Sequence, residues 1–348
     1  MKTDYLSKLT PELWDIATSK EEYHFKYPDN FGRFPHYESS NRDVFVPKVS
    51  AMLTKEEENI PIYPSGKSFA VCLTHDIDVL FVSLRANGLT CMRSACNLKI
   101  LETLKNIRSL ADKKRPYFNL TDILDIEEKF DAKSSFYFLA LAPNEMSYNY
   151  DLNEISELLF EIDERGCEVG LHGGHNAWNT YDNLISEKER LENVLGKKVA
   201  GYRNHCLKFK VPDTWEILAK AGFKYDTTFG YADCVGFRSG MCFPYYPYNL
   251  NTKNYVNILE IPLIVMDVTL FNSYMRLTPK CALKLIKELI DTVADLHGVF
   301  TLLWHNSSII KGTMECEMYE KILSYCLEKN AWMTSGIEIC EWFKKNDL

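Results

Sequence analysis

Apolar runs along this chain repeatedly stop dead in polar or titratable residues. Phe69-Ala70-Val71-Cys72-Leu73 runs into Thr74-His75-Asp76-Ile77-Asp78. Glu168-Val169-Gly170-Leu171 runs into His172-Gly173-Gly174-His175-Asn176, and Val199-Ala200-Gly201-Tyr202 into Arg203-Asn204-His205. Ile261 to Met266 ends at Asp267, and Val299 to Trp304 ends at His305-Asn306. Runs of this length and branching read as buried strands. The predicted strands are 69–74, 134–140, 167–171, 199–203, 223–226, 258–265 and 299–304, with a weaker one near 331–333. Between them lie helical patterns at about 97–111, 121–130, 152–165, 184–195, 213–221, 279–296, 315–329 and 336–345. Gly166 and Gly222 stand where helices end, and Pro279 stands where one begins.

Alternating strands and helices imply a parallel sheet with helices around it. Polar residues at so many strand ends favour a (β/α) barrel, whose functional groups collect at the carboxyl ends of the strands, over an open sheet with one switch point. The expected fold is therefore α/β, a (β/α) barrel over residues 67–348. Residues 1–66, rich in Tyr, Pro, Asn and charge, read as an N-terminal extension packing on the barrel. They do not read as a catalytic unit.

Composition narrows the function. A formal charge of −8 over 348 residues argues against a nucleic-acid partner, whose footprint is a basic stripe. The longest apolar stretch, from Tyr255 to Phe271, is interrupted by Asn257, Glu260 and Asp267, so no integral membrane segment is expected. The N-terminus lacks the profile of a secretory signal, and the 11 cysteines include no C-x-x-C pair. The expected location is cytoplasmic, with thiols reduced and mostly serving as small hydrophobes.

The strand-end residues supply the chemistry. Five of the eight histidines fall at or just after strand ends. Asp76 and Asp78 alternate in phase, so continued strand geometry turns both carboxylates to one face. Asp78 and His172, with His175 or Asn176 as the third, can hold one divalent ion of the zinc type with an open position for water. Asp76 is placed to act as base, with Arg203 to hold it charged and oriented. His305 is the candidate acid, kept protonated by Asp267 or Asp226. The aromatic stretch around Arg238, including Tyr231, suits a sugar ring with an anionic substituent, and Trp304 is a candidate pocket wall.

These residues resemble the polysaccharide deacetylase superfamily, carbohydrate esterase family 4, over roughly residues 69–345, and the resemblance implies a distorted (β/α)7-type barrel. The family's T-F-D-D opening resembles Thr74 to Asp78, with Asp76 as base and Asp78 as ligand. Its H-[ST]-x-x-H element resembles His172 to Asn176, with the second histidine one residue early. Its R-x-P arginine resembles Arg203, with His205 in place of the proline as a further candidate for the third ligand or a substrate contact, and its L-x-x-H element resembles Leu302 to His305. A bacterial surface-polysaccharide subgroup with T-H-D-x-D, R-x-H, Y-D-[ST]-T, G-F-R-x-G and W-H-N is more similar still. The resemblance implies a metal-dependent hydrolase that removes an N-acyl group, N-acetyl above all, from an amino sugar in glycan biosynthesis. The implied substrate is nucleotide-linked, lipid-linked or an oligosaccharide. Two alternatives stand beside it: a non-catalytic glycan- or partner-binding barrel, and a hydrolase of another small amide such as an N-formyl sugar.

Overall fold

A computed structural model describes residues 5–56, 61–81, 117–272 and 274–346. The helical pattern expected at 97–111 lies outside the described residues. Parallel strands β1 (Phe69–Ile77), β2 (Ser135–Leu139), β3 (Glu168–Gly173), β4 (Gly201–Asn204) and β5 (Tyr225–Asp226) follow one another around a curved sheet. A short antiparallel hairpin, β6 (Tyr248–Asn249) with β7 (Asn254–Tyr255), interrupts the series. The strand expected at 258–265 forms as two pieces, β8 (Leu259–Glu260) and β9 (Val265–Met266).

β8 pairs with β5 while β9 pairs with β10 (Val299–Leu303), which in turn pairs with β1. One bent run of chain therefore reaches both edges of the sheet, and the distortion of the barrel is concentrated there. β11 (Ala331–Thr334) pairs with the first half of β1, at Phe69 to Cys72, and β2 pairs with the second half, at Thr74 to Ile77.

The period of two is visible along β1. Phe69, Val71, Leu73 and Ile77 belong to the apolar layer beneath the helices. Ala70 and Cys72 belong to the lumen with Tyr137, Tyr225 and Leu259. Asp76 continues the inward phase, so an aspartate at that position is delivered to the carboxyl mouth of the barrel. The lower lumen is closed by tyrosine rings that need glycine beside them: a Cβ on Gly201 would overlap the hydroxyl of Tyr225. Glu168 accepts hydrogen bonds there from Ser135 and Tyr225, both at 2.6 Å.

The helices follow their capping chemistry. Thr278 accepts a hydrogen bond from the Cys281 amide ahead of Pro279–Asp295, and Ala282, Ile286, Leu289, Ile290 and Val293 of that helix are buried. Thr313 caps Met314–Glu328 in the same way. Gly166 (φ 76°) and Gly222 (φ 79°) take the left-handed conformation just beyond two helices, as their positions in the sequence suggest. Among the described residues, no helix is long and apolar enough to cross a membrane.

The N-terminal arm packs against the excursion between β5 and β8. The Phe237 amide donates to Val44 O at 2.7 Å, and the Val49 amide to Gly240 O at 3.0 Å.

Candidate active site

Three donor atoms converge at the carboxyl mouth of the barrel. Asp78 Oδ1 lies 3.1 Å from His172 Nε2 and 3.1 Å from His205 Nδ1, and the two imidazole nitrogens are 3.2 Å apart. A tetrahedral ion with bonds of about 2.0–2.1 Å sets its ligand atoms about 3.3 Å apart, so this near-equilateral triangle fits such an ion. Asp78 Oδ1 is buried and faces both ring nitrogens, so it is placed to share an ion with them. The backbone fixes the chemistry of His172: its Nδ1 faces Arg203 O at 3.1 Å, which makes Nδ1 the donor and leaves Nε2 with its lone pair toward the triangle.

Electrostatics reinforce the cluster. Burial raises the Asp78 carboxyl, but the neighbouring His172 and His205 imidazoles outweigh it and hold the group well below the usual range. Burial lowers His205, and Asp78 reverses this and pushes it up to about 10. His205 sits in an uncommon turn: Cys206 (φ 59°) and Leu207 (φ 51°) both adopt left-handed backbone without being glycine. Each such residue costs about 1–3 kcal/mol, so surrounding contacts must hold the turn.

Asp76 and His305 flank the triangle. Asp76 Oδ2 lies 3.7 Å from His172 Nε2, and its Oδ1 lies 3.4 Å from an Arg203 Nη. Arg203 is wholly buried yet fully engaged, donating from Nε to Thr227 O at 2.6 Å and from Nη2 to Thr74 Oγ1 at 3.1 Å. On the other side His305 Nε2 approaches Asp78 Oδ2 at 3.7 Å. Its Nδ1 meets Asp267 Oδ1 at 2.7 Å, and its amide donates to Asp267 Oδ2 at 3.0 Å. Burial lowers the His305 pKa, but the Asp267 carboxylate outweighs it, with help from Asp78 and Asp76, and raises it to about 10. Asp76, Asp78, His172, His205 and His305 line a cavity of about 280 Å³ whose other walls include Phe31, Leu207, Met266, Val268 and Tyr274.

Of the expected site residues, Asp76, Asp78, His172, Arg203, His205, Asp267 and His305 come together. The others do not. His175 turns away to Ser147, its Nε2 at 2.9 Å from that hydroxyl, with its ring against the outside of His205. It lies outside the donor triangle, and Asn176 is exposed at the surface. The Gly173-Gly174 turn, held by the Gly174 amide donating to Glu187 at 2.7 Å, carries that segment out of the mouth.

Arg238 points into the protein and forms a buried ion pair with Glu22 of the arm, its guanidinium 4.1 Å from the Phe229 ring centre. Tyr231 is buried against Phe34 and His36. Trp304 is fully buried against Phe271 and Tyr319. Asp226 is buried beneath the site, where Thr228 donates to it at 2.6 Å, and it makes no contact with His305. All four, expected at the substrate or the acid, serve the interior.

Two contributions escape a sequence reading. Phe31 and Arg33 of the N-terminal arm line the cavity. His75, the residue between Thr74 and Asp76, faces outward to Glu127 at 2.8 Å and Trp304 O at 2.7 Å, bracing the strand that ends in His305. Only the alternation along β1 hints at His75; nothing local marks Phe31 or Arg33.

No protein-family model and no curated protein sequence matches the chain. Solved structures do. A Mycobacterium smegmatis protein designated a polysaccharide deacetylase is similar at 19% identity, covering 82% of this chain and 93% of its own, with a TM-score of 0.55. The Puue allantoinase is similar at 14% identity, over 83% and 95%, with a TM-score of 0.56. A Pseudomonas aeruginosa PAO1 protein designated a polysaccharide deacetylase is similar at 11% identity, over 84% and 97%, also at 0.56. The likeness is one of fold: a polysaccharide-deacetylase type (β/α)7 barrel spanning most of each chain.

Proposed function

We propose that this protein is a metal-dependent hydrolase that removes an N-acyl group, in the first instance acetyl, from an amino sugar. One observation carries the reading: a metal-ready triangle, a carboxylate held by an arginine and an imidazolium held by a carboxylate surround a single cavity. A structural barrel or a pure binding site has no use for a base and an acid on opposite sides of a cation site.

Asp78, His172 and His205 hold the ion, zinc by the nitrogen and carboxylate donor set. When bound, such an ion polarises the acyl oxygen and acidifies a water. Asp76 accepts the proton of the attacking water, positioned for it by Arg203. The water oxygen bonds to the acyl carbon, and the C–N bond breaks as His305 Nε2 delivers its proton to the departing nitrogen. Asp267, on Nδ1, keeps that imidazole charged and turned toward the cavity. The products are a free carboxylic acid and an amine. A nucleotide-linked, lipid-linked or oligosaccharide intermediate of glycan synthesis fits this chemistry.

The test is acetate release from N-acetylated sugar nucleotides and oligosaccharides by zinc-loaded protein. Asp76→Asn should abolish turnover while zinc remains bound stoichiometrically. Loss of zinc from that variant would make Asp76 a ligand and exchange its role with that of Asp78.

A second reading has one observation in its favour. At about 280 Å³ the cavity sits just below the usual range for ligand pockets of about 300–1,000 Å³, which suits a small amide as well as one sugar ring. An N-formyl sugar or a ring amide outcompeting every N-acetyl substrate would establish it.

A further inference from the structure

We infer that the Asp29–Arg33 turn of the N-terminal arm is part of the active site, with Arg33 the positioning residue that holds His205 in the donor triangle. The inference rests on the reading of His205 as a metal ligand. It adds a function for a segment that lies outside the barrel and that the sequence marks as a mere extension.

The turn is braced from within. Asp29 Oδ1 accepts the amides of Phe31 at 2.8 Å and Arg33 at 3.0 Å. The Asp29 amide donates to Arg33 O at 3.1 Å and the Gly32 amide to Asp29 O at 2.9 Å. Gly32 has φ 77°, a conformation glycine takes without strain. The result is a closed loop from which Phe31 and Arg33 both reach the cavity, Arg33 with the polar contacts.

The Arg33 side chain is directed by its own partner. Arg33 Nε donates to Asp29 Oδ2 at 2.7 Å, and Nη2 lies 2.6 Å from the same oxygen. The far edge of the guanidinium is left for the barrel. Nη1 donates to the carbonyl of Cys206, and Nη2 donates to the hydroxyl of Tyr274 at 2.9 Å. The side chain is only 7% exposed, so these bonds form largely out of water, where an unpaired donor or acceptor is costly.

Cys206 is the residue after His205 and one of the two left-handed positions in its turn. Leu207, the other left-handed residue, is anchored by packing with Met266 and Leu303, so it is the Cys206 end of the turn that depends on hydrogen bonds. His205 O takes the Asn204 side-chain amide at 2.9 Å and a long contact from the Lys208 amide at 3.4 Å. The Cys206 carbonyl, at the strained position itself, is held by Arg33. Ligand atoms must sit within about 0.5 Å of the productive geometry, so relaxation of one residue beside His205 is enough to spoil the triangle. A lysine cannot replace Arg33, because a single ammonium cannot reach Asp29, Cys206 O and Tyr274 together.

The experiment uses the full chain with Arg33→Lys and Arg33→Ala. Two quantities are measured: hydrogen exchange of the segment 203–209 without added metal, and the zinc dissociation constant by chelator competition. Both variants should exchange faster in 203–209 than wild type, with β3 unchanged. They should bind zinc about tenfold more weakly or worse, the range seen when groups supporting a ligand are removed. Both variants should lose some thermal stability, since each leaves buried partners unpaired; a general packing role would in addition spread the faster exchange beyond 203–209 into β3. If Arg33→Ala fails to fold, Arg33→Lys, which retains the pairing with Asp29, carries the test. Unchanged exchange in 203–209 overturns the inference whatever the zinc result. Faster exchange with unchanged zinc affinity also overturns it. A wild-type protein that takes up no zinc refutes the ligand reading instead, and faster exchange in the variants would then leave Arg33 as the brace of this turn.

Discussion

The identity of the third ligand gives the sharpest prediction, because spacing and geometry disagree about it. Spacing nominates the segment His175-Asn176; the structure places His205 Nδ1 3.1 Å from Asp78 Oδ1 and 3.2 Å from His172 Nε2. Four-ligand zinc peptides bind with about 10–16 kcal/mol in total, or about 2.5–4 kcal/mol per ligand. At about 1.4 kcal/mol per tenfold, His205→Ala should weaken zinc binding by about 10²–10³-fold. The His175 ring meets the Ser147 hydroxyl and the outer face of His205, and it makes no hydrogen bond to the triangle. His175→Ala should therefore stay below the about tenfold loss seen when a group hydrogen-bonded to a ligand is removed. Competition with a chelating dye at neutral pH reads both directly, and thermal shift with and without zinc gives an independent measure through linkage. Loss of zinc by His175→Ala with retention by His205→Ala would falsify the assignment and return the third ligand to the strand-end spacing.

Three further outcomes are expected. His305→Ala should slow an amide substrate by about 10²–10⁴-fold and an activated ester far less, since only the amine needs a proton to leave; equal losses would make His305 an orienting group. Asp267→Asn removes the carboxylate that most raises His305, so the alkaline limb of the rate profile should move to lower pH, and an unmoved limb would refute the pairing. Burial pushes Glu187 up to about 7, so between about pH 4.5 and 7 the folded protein holds a proton that the unfolded chain has lost. Stability should fall by up to about 3 kcal/mol as pH rises through that window. Glu187→Gln should flatten this dependence, and parallel melting curves for the two proteins would refute the argument.

What the sequence reveals of this site is what strand geometry fixes locally. Asp76 follows from the run that precedes it, because a period of two leaves one choice of face once Ala70 and Cys72 are inside. His172, Arg203 and His305 follow in the same way from their strands. The misreadings begin where the chain leaves the sheet. His175 stands only three residues beyond His172, but two glycines and a hydrogen bond from Gly174 to Glu187 decide its direction. Glu187 is far along the chain and invisible to spacing. Arg238 and Tyr231 look like a sugar platform because aromatic density beside a cation describes a binding surface and a buried ion pair equally well. Glu22, the residue that decides between them, lies 216 positions away.

The same limit explains why the arm reads as inert. Arg33 carries no motif, and its meaning depends on Cys206 O and Tyr274, more than 170 residues downstream. If a third ligand is supplied by a turn after β4, the two left-handed residues beside it need support. Leu207 takes its share from inside the barrel, packed with Met266 and Leu303. The Cys206 carbonyl takes its share from the N-terminal arm, which presents a guanidinium already fixed by its own aspartate. His205 and Arg33 then work as one unit: a variant that keeps the arm and loses only the Arg33 guanidinium should keep its barrel and bind zinc more weakly.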